Sequence, residues 1–217
     1  MAVSLKKGQG VSLRKEENDL STVTIGLGWD VAEEKKGFLG KLFSGPAEEF
    51  DLDAIAVLLG PKGNIQHLGK DENGQPSIAG SDVIFFNSLK HPSGAIWLTG
   101  DNRTGDGDGD DEQIIVKLDQ IPAIYERIVF IVAIYQGQER KQHFGRISNA
   151  FIRAVDAKNK EICRYDVSGD NSFNNRSALT FAEFAREGNN WAFKAIGTPL
   201  DSDNLMQIIR PYLFDPT

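Results

Sequence analysis

Gly100-Asp-Asn-Arg-Thr-Gly-Asp-Gly-Asp-Gly-Asp-Asp-Glu112 places six carboxylates, those of Asp101, Asp106, Asp108, Asp110, Asp111 and Glu112, in thirteen residues. Arg103 is the one opposing cation, so the stretch carries a formal charge of −5. It has no apolar side chain and cannot be core. Gly and Asp are both poor helix formers. The interleaved glycines permit the positive φ of a chain that folds back on itself. On either side, Ala95–Leu98 and Gln113–Leu118 read as strands. The acidic loop is therefore slung between two strands, and a sheet holds its ends.

Two readings fit such a loop. One is a solvated acidic segment. The other is a site for a hard divalent cation. Ca2+ takes about six to eight oxygens from carboxylates, amides and backbone carbonyls. Asn102 and Thr104 add neutral oxygens, and Gly105 and Gly107 let carbonyls turn inward. An EF-hand is rejected. Counting from Asp106, Asp111 stands where glycine is required and Lys117 where glutamate is required. Counting from Asp101, Arg103 and Gly105 fall on ligand positions. A stacked Gly-Asp repeat has little support, because the unit occurs once and such repeats need several copies to stack.

The chain has 217 residues and a 40% apolar content, enough for one real core. Its net charge of −7 leaves only −2 outside the acidic loop. That balance opposes nucleic-acid binding, which needs a basic footprint. The three histidines, His67, His91 and His143, and the single Cys163 are scattered, so zinc has little to bind. No run reaches the roughly 18 apolar residues of a transmembrane helix. With no signal-peptide pattern at Met1–Gly8 and no possible internal disulfide, the cytoplasm is the expected compartment.

Taken in order, Val11–Leu13 and Thr22–Leu27 alternate as strands. A flexible insertion is expected at about 31–50. In it, Phe38, Leu39, Leu42 and Phe43 form one face of a short amphipathic turn that rests on the domain or docks to a partner or membrane surface. Ala54–Leu59 reads as a core strand with Ile65–Leu68 as its hairpin partner across Gly60–Asn64. Asp82–Asn87 reads as another strand. Ile128–Tyr135, the most apolar run, should be central. Hairpins are expected for 150–167 and 178–196, with a helix as the alternative for 178–187. A short helix follows a cap at Asp201 or Ser202 and ends near Pro211. About ten short strands without βαβ alternation predict a mainly β chain: an antiparallel β-sandwich with a short C-terminal helix, forming a single domain over 1–217.

Gly26-Leu27-Gly28-Trp29-Asp30, Asp51-Leu52-Asp53, Asp82–Asn87 and the acidic stretch together resemble the TerD family of bacterial tellurium-resistance and general-stress proteins. Ala150–Asp156, Arg164–Asp166 and Gly188–Phe193 continue the resemblance over most of the chain, and the 35–45 insertion is similar to that of the TerZ branch. The resemblance implies a β-sandwich, calcium held by acidic loops, no established enzymatic activity, and a role in resistance to tellurite and other stresses; the chain is expected not to be an enzyme. Asp106 departs from the pattern, standing where many members carry Glu.

Strand ends of a sandwich cluster at one edge. There Asp30, Asp51 and Asp53 are expected to meet the loop, Asp51 and Asp53 pointing to one side of an extended run. The candidate ligand set is Asp30, Asp51, Asp53, Asp101, Asn102, Thr104, Gly105, Asp106, Gly107, Asp110, Asp111 and Glu112. These donors exceed the needs of one ion, so two adjacent calcium ions are expected. Trp29 is expected in the core, Asp82 and Asn87 as strand-end polar groups, and Cys163 as an inert buried thiol. Two other functions compete: a Mg2+-dependent phosphoryl-transfer or glycoside-hydrolysing enzyme, and a calcium-dependent sugar-binding sandwich. The expected partners are other stress or tellurium-resistance proteins, in complexes that extend to the surface of the inner membrane. No catalytic residue is assigned.

Overall fold

The computed structural model describes residues 2–31, 50–99, 109–167 and 170–213. The strands in chain order begin with β1 (Val3–Leu5), β2 (Gly10–Leu13), β3 (Val23–Val31), β4 (Leu52–Leu59), β5 (Gly69–Lys70), β6 (Pro76–Ser77) and β7 (Val83–Ile84). They continue with β8 (Ile96–Leu98), β9 (Glu112–Val116), β10 (Arg127–Ile134), β11 (Ile147–Val155), β12 (Glu161–Asp166), β13 (Ala178–Glu187) and β14 (Asn190–Leu200). Two short α-helices, α1 (Gly137–Arg140) and α2 (Leu205–Ile209), and four single-turn 3-10 helices (Leu118–Gln120, Phe144–Arg146, Asn171–Phe173 and Arg210–Tyr212) complete the described elements.

The strands form two six-stranded sheets, ordered β1-β12-β11-β3-β9-β8 and β2-β14-β13-β10-β4-β7, plus the small β5–β6 pair. Alternation explains the layering. In β3, Val23, Ile25, Leu27 and Trp29 face the core between the sheets. In β4, Leu52, Ala54, Ala56 and Leu58 face that same core. Ile55, Val57 and Leu59 face the opposite side, where Ile208 and Ile209 of α2 cover them. β10 therefore lies between β4 and β13 with both faces buried, which is why its sequence is apolar throughout. The mainly β architecture with a short C-terminal helix is as expected, and 178–187 is strand, not helix.

Several local expectations are corrected. Residues 65–68 do not pair with β4. Their backbone donors go elsewhere: Ile65 N to the Tyr212 carbonyl, and Gln66 N and His67 N to the Asp82 carboxylate. β4 pairs instead with β10 and β7. Within 82–87 only Val83–Ile84 is strand. β1 pairs in parallel with β12, so the first sheet is not wholly antiparallel. Asn204, not Asp201 or Ser202, caps α2, its side chain accepting a hydrogen bond from Gln207 N at 3.2 Å. Residues 32–49, which carry most of the expected insertion, lie outside the described residues.

Candidate metal centre

The acidic loop returns to the sandwich at Gly109, and its last three carboxylates are held in three directions. Asp110 folds over β3 at Gly26, on the outer face of the first sheet. The register sets this place: Gly26 sits between Arg153 of β11 and Gln113 of β9. Asp110 Oδ1 accepts from Arg153 Nε at 2.7 Å and Oδ2 from Gln113 Nε2 at 3.2 Å. Asp111 extends β9 by one residue alongside β3. Its backbone N–H donates to the Leu27 carbonyl at 2.7 Å, and its carboxylate accepts from Trp29 N at 2.9 Å. Glu112 turns inward and accepts from Ala54 N of the other sheet at 2.5 Å. Asp111 and Glu112 are only 8% and 2% exposed, so both carboxylates are desolvated at the strand end.

Two glycines make this approach possible. A Cβ on Gly26 would stand 2.2 Å from the Asp110 carboxylate, and one on Gly28 would stand 2.7 Å from the Gly109 carbonyl oxygen and 2.4 Å from the Phe151 ring. Gly26 and Gly28 share the outer face of β3, and together they form a cradle for the returning loop. Glycine inside a strand is the sequence signal for such close approach.

The other expected ligands divide. Asp30 lies further along the outer face that carries Gly26 and Gly28, at the end of β3, and accepts from Asn149 Nδ2 at 2.6 Å. Asp53 lies on the outer face of the second sheet with Ile55 and Ala133, in a groove of about 440 Å3 that Glu139 and Asp203 also line. Asp51 precedes β4, its carbonyl accepting from Tyr135 N at 2.7 Å. Asp30 and Asp110 thus share one face, while Asp51 and Asp53 approach Glu112 through the backbone of β4. Asp101, Asn102, Thr104, Gly105, Asp106 and Gly107 lie outside the described residues. Among the described residues no three His, Cys, Asp or Glu side chains form a metal-binding cluster.

The donors suit a hard cation. All are oxygens, three successive carboxylates are aimed from one strand end, and the Gly26 cradle fixes one of them. The cation that Asp110 holds in this structure is the Arg153 guanidinium. Arg153, Gln113 and the glycine cradle were not assigned from sequence. The glycines carried a signal, whereas Arg153 is only one polar position in an alternating strand.

Two further groups bear on chemistry. Asp82 is 1% exposed and accepts four hydrogen bonds, from Gln66 N, His67 N, Tyr125 Oη at 2.6 Å and His91 Nε2 at 3.3 Å. It is a strand-end polar group, as expected, directly before β7, but a buried one that anchors its neighbours. Cys163 is fully buried, and burial pushes its thiol up to about 12. At pH 8 a thiol reagent is therefore expected to leave Cys163 unmodified in the folded protein and to label it fully in 6 M guanidinium; mass spectrometry reads both states.

Comparison with known proteins places the chain in a family. The TerD domain model matches residues 1–212, and the chain belongs to the TerD family. It is 58% identical to tellurium resistance protein TerX of Serratia marcescens, over 98% of this chain and 100% of that protein. It is 40% identical to stress response protein SCP2 of Bacillus subtilis, over 98% of this chain and 100% of that one. Tellurium resistance protein TerZ of Serratia marcescens is 40% identical, over 90% of this chain and 89% of its own. A solved homologue of telluride resistance protein from Streptomyces coelicolor A3(2) superposes with a TM-score of 0.59 at 22% identity, over 86% of this chain and 94% of that one, and supports the fold.

Proposed function

We propose that this protein is a non-catalytic, calcium-binding stress protein. It acts in resistance to tellurite and other stresses, through complexes with other resistance proteins in the cytoplasm and at the inner-membrane surface. The observation that carries the calcium reading is the three-way anchoring of Asp110, Asp111 and Glu112 at one strand end, over the Gly26–Gly28 cradle. The names of the relatives, tellurium resistance and stress response proteins, support the physiological role. Two ions remain the favoured number. Asp30 and Asp110 lie on the outer face of the first sheet and Asp53, within β4, on the outer face of the second, so they would serve different ions; by sequence, Asp101, Asn102, Thr104, Asp106 and the carbonyls of Gly105 and Gly107 are the further candidate donors. An acidic site should not bind an oxyanion directly, so protection is indirect. No helix among the described residues is long and apolar enough to cross a membrane.

Calcium at about one hundred times its dissociation constant stabilises a one-site protein by about 2.7 kcal/mol. In a chain of this size that raises the melting temperature by about 5–10 °C. The wild type is expected to show this rise and the Asp110→Asn, Asp111→Asn double variant to show none. An intact protein that melts at the same temperature with calcium and with chelator would remove the proposal.

A further inference from the structure

We propose that the groove on the outer face of the second sheet docks a basic amphipathic peptide segment of a partner protein, one that sets Lys or Arg beside Leu or aromatic side chains. This goes beyond the calcium reading and holds with or without the ion.

The floor of the groove is apolar. Ile55 of β4, Ala133 of β10 and Phe85, which follows β7, form it, and all three are buried. They belong to the cluster that Ile208 and Ile209 of α2 complete. Leu205, at the start of α2, is only partly buried and stands beside the floor. Phe86 and Tyr135 form the walls and are 44% and 39% exposed. Their rings meet edge to face, with centroids 6.4 Å apart. Aromatic side chains this open above a buried apolar floor mark a site for a partner. The volume of about 440 Å3 falls within the roughly 300–1,000 Å3 of ligand pockets and takes a few side chains.

Charge selects the class of partner. Asp53 of β4, Glu139 of α1 and Asp203, just before α2, line the groove. Among the described residues that line it, none is Lys or Arg. Gln138 N donates to Asp203 Oδ2 at 2.7 Å and Gln138 Nε2 to the Asp201 carbonyl at 2.8 Å. These bonds tie α1 to the approach to α2, so Glu139 and Asp203 are held on one framework. Arg140 beside the groove rests its guanidinium 5.3 Å from the Tyr135 ring centroid. That is the contact by which an aromatic wall also receives an incoming Lys or Arg. An anionic membrane surface is repelled by an acidic rim. A second copy presenting the same groove would set carboxylate against carboxylate. A segment with apolar residues at i, i+3 and i+4 and cations between them matches both floor and rim.

The test titrates the full-length protein, in calcium and in chelator, into a fluorescein-labelled Leu-Lys peptide of about four amphipathic helical turns. The same peptide with Glu for every Lys is the control. The wild type is expected to bind the Lys peptide at least about tenfold more tightly than the Glu peptide, and Glu139→Lys and Phe86→Ser each to weaken binding by about tenfold or more. Glu139 and Phe86 are exposed, so both variants should melt with the wild type. Backbone amide signals of 85–87 and 135–140 should move on binding. Equal binding by the wild type and both variants places the peptide elsewhere, such as on the acidic stretch, and overturns the proposal, as does no binding at all. Self-association of the wild type that Phe86→Ser abolishes assigns the groove to a second copy and overturns it. Binding seen only after 35–45 is replaced by glycine and serine makes this chain's own segment the occupant, and overturns it too. Should a variant fail to fold, wild-type amide signals that move only outside 85–87 and 135–140 overturn it. Calcium binding is read separately, so neither result decides the other.

Discussion

Asp82→Ala is expected to lower the unfolding free energy by about 3–5 kcal/mol, the cost of breaking a buried charged network by removing one partner. Four donors lose their acceptor together: the backbone N–H groups of Gln66 and His67, the Tyr125 hydroxyl and the His91 ring. His91 Nδ1 accepts from Ser93 N at 3.1 Å, which assigns the neutral ring's proton to Nε2, the nitrogen that donates to Asp82. These bonds moor the segment between β4 and β8 onto the sandwich. Burial pushes the Asp82 carboxyl up, but the His91, Tyr125, His67 and Gln66 hydrogen bonds outweigh it, and the net shift is below 3.8. A depressed carboxyl stabilises the fold above its unfolded pKa and loses that contribution as pH falls through the folded value. The loss therefore lies below about pH 4. Urea midpoints of wild type and Asp82→Asn at pH 7 and pH 3 measure it, and the gap between them should narrow at pH 3. A gap equal at both values would show that the carboxylate charge is not what holds the segment.

The second large effect is expected at Glu112. This side chain is 2% exposed and runs from the first sheet to Ala54 N of the second. β10 covers one edge of β4 at Ala54, but on the other edge β7 pairs only at Ala56 and Val57, so Glu112 satisfies a donor there that β7 does not reach. Glu112→Ala removes that acceptor and opens space between the sheets. About 2–4 kcal/mol of stability should be lost, an unsatisfied buried donor plus a cavity. Glu112→Gln keeps the carbonyl acceptor and should recover about half. Hydrogen exchange at Ala54 N–H distinguishes the two variants: fast in Glu112→Ala, protected in Glu112→Gln.

Much of the sandwich was legible because alternation and burial agree. Thr22–Leu27 reads as a half-buried strand and is one, since its even and odd positions meet different surroundings. Ile128–Tyr135 reads as central because only a strand covered on both faces has no polar side. Ile65–Leu68 misled because its short apolar pattern fits a hairpin. The deciding event is a carboxylate fifteen residues away from His67 that takes the backbone donors a ladder would need. β1 is three residues long and leaves no periodic trace.

The candidate site was legible in part. Consecutive acids at a strand end announce oxygen donors, but not which face each takes. Asp110, Asp111 and Glu112 are adjacent in sequence and diverge in space, because the first folds over a glycine, the second continues a strand and the third points between sheets. The partner of Asp110 lies 43 residues later in the chain. Nothing local to Arg153 marks it. Only the register that sets it beside Gly26 does so.

Calorimetric titration of the chelator-stripped protein with calcium, repeated in millimolar Mg2+, tests the central claim most directly. The account predicts binding of two calcium ions that Mg2+ does not displace, since loop carbonyls and several carboxylates suit the larger, more flexible ion. Absence of calcium heat in the intact protein would contradict it, leaving the acids and glycines as a strand connection in which Asp110 pairs with Arg153.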